Sequence, residues 1–153
     1  MTATAEEAAF RPLCPWRDWD PAYRASLVIP VDPAGRALLQ LRDHHPNAAN
    51  PGQWGLFGGE AEAGESLAEA AAREMAEEIG VSIPAAAFRP FSRTISARSR
   101  KRLYAFTAEI AFGPEAVRLG EGAGFAFIER RDLARLDLVA SVRVILAAWT
   151  ARG

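Results

Sequence analysis

The 153-residue sequence predicts one domain of mixed α and β structure, of the α/β or α+β type. Three observations carry that prediction. Apolar, β-rich runs stop at turn signals; one alanine- and glutamate-rich stretch has helical spacing; and the two kinds of segment alternate along the chain. The length is that of a single ordinary domain and suffices to bury a core without disulfides.

Residues 1–22 are read as an arm lying on a domain formed by residues 23–153. The arm is alanine-rich at first, then aromatic and charged, with Trp16, Arg17 and Trp19. Residues 25–31 are β-rich, Asp32-Pro33-Ala34-Gly35 is a turn signal, and residues 36–42 continue as a second strand, so a hairpin is expected. Residues 43–53 carry two prolines, two asparagines and a glycine, which excludes regular structure and leaves a loop long enough to hint at function. Residues 54–57 read as a short strand ending in Gly58-Gly59. Residues 66–79 read as a strong helix with Gly80 at its C-terminal stop. Strands follow at 88–96, where Pro90 weakens the start, at 102–110 and at 125–128. A short helix near 132–136 and a longer one at 140–150 close the chain.

Half the residues are hydrophobic, 24% are charged and the net charge is −1, the profile of a soluble globular protein. No apolar run is long enough to span a bilayer. The first ten residues have Glu6 and Glu7 but no basic region, so no secretory signal is expected. A single cysteine, Cys14, rules out an internal disulfide and suits a reducing cytoplasm, the expected location. The near-neutral charge argues against a general nucleic-acid coat protein.

The chemistry concentrates in the predicted helix. At about 100° per residue, Glu74, Glu77 and Glu78 project within one arc of roughly 100°, while Ala68, Ala71, Ala72, Met75 and Ile79 fill another. Like charges at this spacing weaken a helix and raise one another's pKa. A hard divalent cation relieves both costs, because Mg²⁺ takes oxygen ligands from a few carboxylates and from substrate phosphates. Arg73 precedes Glu77 by one helical turn and can pair with it. Glu65 either favours the positive end of the helix dipole or turns back onto Arg73. Gly58, Gly59 and Gly64 allow tight bends and close approach.

Gly59, Glu65, Arg73, Glu74, Met75, Glu77, Glu78, Gly80 and Val81 match the signature of the Nudix hydrolases at every position. Seven fixed residues at roughly 6% frequency each meet by chance on the order of once in 10⁸–10⁹ positions. The lead-in Trp54-Gly55-Leu56-Phe57-Gly58-Gly59 is similar too, with Phe57 where many members have proline. The resemblance implies a mixed β-sheet sandwiched between α-helices (α/β/α) and a metal-dependent diphosphohydrolase. It implies that Glu74, Glu77 and Glu78 hold Mg²⁺ (or Mn²⁺), with a backbone carbonyl near Gly59. Arg73 would orient the glutamates, and Glu65 and Gly80 would shape the motif. Glu121 lies in the loop Leu119-Gly120-Glu121-Gly122-Ala123 and is equally an extra ligand or base and a plain exposed carboxylate. Arg42, Trp54, Phe57 and Gly58 are the candidates for touching substrate, with Trp54 read more readily as core.

His44 and His45 read as a surface pair. Arg93, Arg98, Arg100, Lys101 and Arg102 form a basic run around a hairpin turn, more often solvated than bound to phosphate or RNA. Family marks for ADP-ribose, dinucleoside polyphosphates, coenzyme A and NADH are absent or partial: Ser96 stands where the first needs proline, and Ala97, Arg98 and Ser99 where the second needs tyrosine. By elimination the substrate expected is a nucleoside triphosphate, with a nucleotide sugar second. Non-catalytic Nudix-fold binding modules usually lose box glutamates, and isoprenoid diphosphate isomerases use a cysteine and an altered box, so both rank lower. RNA and membranes are not expected partners; the aromatic arm would suit a homodimer.

Overall fold

The computed structural model describes residues 4–15, 23–96, 98 and 100–152; the arm's Trp16, Arg17 and Trp19 lie outside them. A 3-10 turn over Glu7–Ala9 leads to a two-residue strand, β1 (Arg11–Pro12). Then come β2 (Tyr23–Val31), β3 (Ala37–Leu41), β4 (Trp54–Gly55), β5 (Phe57–Glu60), α1 (Leu67–Ile79), β6 (Arg89–Ser96), β7 (Lys101–Glu109), β8 (Gly124–Ile128) and α2 (Ala140–Ala151).

The β2–β3 turn forms as the sequence predicts. The Asp32 carboxylate accepts from the backbone N–H of Ala34 and Arg36 and from the Arg36 side chain, all within 3.0 Å. Two expectations need correction. The strand expected at 54–57 is two short strands, because the chain breaks at Leu56. The first pairs with β3 and the second with β2. The short helix near 132–136 is a 3-10 segment over Arg130–Arg135, tightened by carbonyl bonds three residues apart. In β6 the register shifts between Pro90 and Ser92, which accommodates a proline that cannot donate to the ladder.

The sheet is mixed, in the order β1-β6-β7-β2-β3-β4, with β5 on β2 and β8 on β3. β2 runs parallel to β7, and β1 parallel to β6. Side chains alternate across it, so neighbours feed opposite cores. Val28, Leu38, Tyr104 and Phe106 meet Leu67, Met75 and Ile79 of α1. Ile29, Leu39 and Ala105 meet Val142, Ile145, Leu146 and Trp149 of α2. This is the α/β/α sandwich.

α1 begins with a capping box. Ser66 accepts from the Glu69 N–H, and the Glu69 carboxylate accepts from the Ser66 N–H, each satisfying a donor that the first turn leaves unpaired. Two further contacts seat this end: the Leu67 N–H donates to Glu6 (2.6 Å), and Ser26 on β2 donates to the Leu67 carbonyl (2.7 Å). Residues 4–12 are thus bound into the domain. Phe10 is buried edge-on against Tyr104 and Phe106. Glu7 is buried as well and accepts from the Tyr104 hydroxyl and the Thr4 N–H.

Candidate active site

The C-terminal half of α1, the Gly58-Gly59 step of β5 and the loop before β8 meet at an open cleft of about 500 Å³. Its walls are Gly58, Gly59, Glu74, Glu77, Glu78 and Glu121. The structure therefore brings the three helix glutamates, the glycine step and the loop glutamate together, although Glu121 lies 43 residues beyond Glu78 in the chain.

Arg73 organises this array. Its Nε and Nη2 grip both oxygens of Glu65 at 2.8 and 3.0 Å, and its Nη1 reaches Glu74 at 2.9 Å and Glu77 at 3.4 Å. Nη2 also donates to the Glu60 carbonyl at 3.0 Å, tying the helix to the end of β5. The two-pronged bond to Glu65 suits a planar guanidinium. That bond holds the Glu65 carboxyl below its usual range, and the same contacts raise Arg73. Of the two readings open for Glu65, the structure shows the turn back onto Arg73.

Glu78 departs from expectation. On a helical wheel it shares the acidic arc and should be exposed; in the structure it is only 5% exposed. The arc is right, but β5 and the loop after residue 117 cover its inner edge. The Gly58 N–H donates to Glu78 Oε1 at 3.2 Å. Burial first, then the shared hydrogen bond and charge of Glu74 and the charge of Glu121, push the Glu78 carboxyl up to about 8. Glu77, by contrast, is exposed. At Gly59 a Cβ would collide with the Glu74 carboxylate, so glycine lets that side chain lie against the strand.

Among the described residues, no group of three His, Cys, Asp or Glu side chains stands ready-made to hold a metal. Arg73 draws Glu74 and Glu77 toward itself, and Glu78 faces the Gly58 amide. The donor set nevertheless fits a hard divalent cation. It consists of carboxylate oxygens, one of them raised in pKa first by burial and then by its neighbours' charge, an imbalance that a cation relieves.

A smaller cleft of about 170 Å³ adjoins the first and shares Glu121; Gln40, Arg42, Asp43 and Ala49 line it. Arg42 also donates to the Ala49 carbonyl at 2.7 Å, holding the 43–53 loop. One substrate candidate, Phe57, is corrected, and for Trp54 the packing agrees with the core reading. Phe57 is fully buried in the α1-side core, with no face left for a ligand. Trp54 packs against the α2-side core and lines neither cleft; its backbone N–H donates to the Asp137 carbonyl at 2.8 Å. His44 and His45 are exposed within the loop. The basic run does flank the β6–β7 turn: Lys101 lies 3.7 Å from Glu60, and Arg98 donates to Asn50 at 3.5 Å. Sequence reading missed Gln40, whose one signal was an amide inside an apolar strand.

The fold and the site define an α/β/α domain opening on a carboxylate-lined cleft at the end of one helix. The NUDIX domain model matches residues 21–148, and the chain belongs to the Nudix family. It is 34% identical over 67 residues to nucleoside triphosphatase NudI of Enterobacter sp. (strain 638), an alignment covering 44% of this chain and 48% of that one; the match thus spans about half of that relative. A mutT/nudix family protein from Listeria innocua is similar in structure, with TM-score 0.69, 22% identity and coverage of 86% and 94% of the two chains. MutT protein from Methanosarcina mazei Go1 is similar at TM-score 0.67, 20% identity and coverage of 89% and 97%. No helix among the described residues is long and apolar enough to cross a membrane.

Proposed function

We propose that this protein hydrolyses a diphosphate linkage in a nucleotide, with a nucleoside triphosphate as the favoured substrate and Mg²⁺ as the metal, Mn²⁺ substituting. The observation that carries the reading is the three motif glutamates, two of them held by Arg73, converging with Glu121 on one open cleft. Glu74, Glu77 and Glu78, beside Gly59, would hold the metal. When bound, the cation would neutralise the diphosphate and make water a better nucleophile.

The chain's own residues supply the rest. Arg73 keeps Glu74 and Glu77 in register, and Glu65 fixes Arg73. A carboxylate at the cleft, Glu121 or a box glutamate, accepts the proton of the attacking water. The water oxygen bonds to phosphorus, the bridging P–O bond breaks, and the leaving phosphate or pyrophosphate departs with that electron pair. Arg42 and the smaller cleft beside it would receive the rest of the nucleotide. The triphosphate assignment is supported by the name of the NudI relative and by the absence of marks for other substrates; a nucleotide sugar is second. A cytoplasmic location, acting as part of a homodimer, fits the aromatic arm and the single cysteine.

The test is release of phosphate or pyrophosphate from nucleoside triphosphates, nucleotide sugars, ADP-ribose and dinucleoside polyphosphates, with Mg²⁺, with Mn²⁺ and with a chelator. Metal-dependent release is expected, fastest from a triphosphate. Silence across the panel, with metal still bound in calorimetry, would turn the reading toward a binding module.

A further inference from the structure

Gln40 is an amide where an apolar residue is expected. On β3 it continues the row of Leu38 beneath α1, and it is buried. A buried amide is costly unless its hydrogen bonds are made, whereas leucine there would cost nothing. Its Nε2–H donates to the backbone carbonyl of Glu121 at 2.9 Å.

That loop is fastened on both sides. Arg118 N–H donates to the Ile79 carbonyl at 2.9 Å and Gly120 N–H to the Glu78 carbonyl at 2.7 Å, using carbonyls that the last turn of α1 leaves without helical partners. On the other side Ala123 N–H donates to the Leu41 carbonyl at 2.9 Å. The glycines flanking Glu121 allow the fit. A Cβ on Gly120 would sit 2.5 Å from the Glu77 carbonyl, and one on Gly122 would sit 2.8 Å from Gln40 Nε2. Glu121 itself is exposed and, among the described residues, is paired in no strand.

We propose that Gln40 is a positioning residue, whose side chain fixes the Gly120–Gly122 turn so that the Glu121 carboxylate is presented to the cleft beside Glu78. The inference rests on the hydrolase reading, in which Glu121 serves the reaction. Gln40 acts through Glu121 and not on the reacting atoms. A direct role for Gln40, as a wall of the smaller cleft, gives a different signature.

Gln40→Met keeps the volume and removes the donor; Gln40→Asn keeps the amide but falls short of the carbonyl. In the metal-free protein, exchange at the two hydrogen-bonded amides of the loop, Gly120 and Ala123, should quicken about tenfold in both variants while the α1 amides stay protected. With substrate and metal, kcat should fall about ten- to hundredfold with KM nearly constant. In a Glu121→Gln background, Gln40→Met should add no further loss, because both changes remove the same group from its place. Unchanged exchange at these two amides overturns the proposal. So does a rise in KM at constant kcat, which marks a substrate contact, or a multiplicative loss in the double variant. Quickened exchange with full activity in Glu121→Gln makes the bond purely structural and sinks the proposal, yet leaves the hydrolase reading standing. If no diphosphate is cleaved, that reading fails by itself, and the positioning role fails with it.

Discussion

Glu78→Gln should uncouple the stability of the metal-free protein from pH. The wild-type carboxyl is buried and holds its proton to about 8 instead of releasing it near 4.5. Between those values the folded state binds more protons than the unfolded chain, so stability is fully present below 4.5 and is lost as pH rises toward 8. Each pH unit in the window costs at most about 1.4 kcal/mol, a ceiling of about 5 kcal/mol across it. Sharing of charge with Glu74 and Glu121 should reduce the measured loss to about 1–3 kcal/mol. Glutamine mimics the protonated form: its carbonyl still accepts from Gly58, and its amide can face Glu74. It should fold, although the site is buried. Urea unfolding in chelator at intervals from pH 5 to 9 reads the effect. Wild type should lose stability relative to the variant as pH rises, and Mg²⁺ should restore wild type far more than the variant. Parallel curves would refute the argument, since Glu78 would then carry no unfavourable charge.

Three further outcomes are expected. Phe10→Ala should cost about 3–5 kcal/mol in urea unfolding, because a buried ring against Tyr104 and Phe106 is lost; a cost below about 1 kcal/mol would show that residues 4–12 are dispensable to the core. Arg73→Lys should lower kcat about ten- to hundredfold with little change in KM, since a single ammonium cannot hold Glu65 two-pronged and also reach Glu74; full turnover in steady-state assays would remove Arg73 from the positioning role. Gly120→Ala should lower activity and destabilise by about 1–3 kcal/mol, as the new methyl meets the Glu77 carbonyl; calorimetry showing an unchanged Tm would contradict that close approach.

Much of this was legible in the chain because local rules agreed. Gly80 marks the end of α1, and the unbroken apolar runs around Val28-Ile29 and Leu38-Leu39 mark strands buried on both faces. The motif spacing left Glu65 between the helix dipole and Arg73, and the ion pair with Arg73 decides between them. What escaped depends on contacts distant in sequence. Glu78 lies on the acidic arc of its own helix, and only the β5 edge and the 118–120 loop bury it. Phe57 ends the expected strand and precedes two glycines, so nothing local says that it turns into the core. The Ala-rich N-terminus hid Phe10, whose partners Tyr104 and Phe106 are far along the chain. Gln40 looked incidental until its partner, Glu121, stood beside it.

The central claim is that this carboxylate cleft hydrolyses a diphosphate through a divalent cation. Pyrophosphate release from nucleoside triphosphates, measured side by side for wild type and Glu78→Gln in Mg²⁺ and in chelator, tests it most directly. The account predicts release in wild type with Mg²⁺ alone, falling by about two to three orders of magnitude in the variant. Equal rates in the two proteins, or undiminished release in chelator, would contradict it.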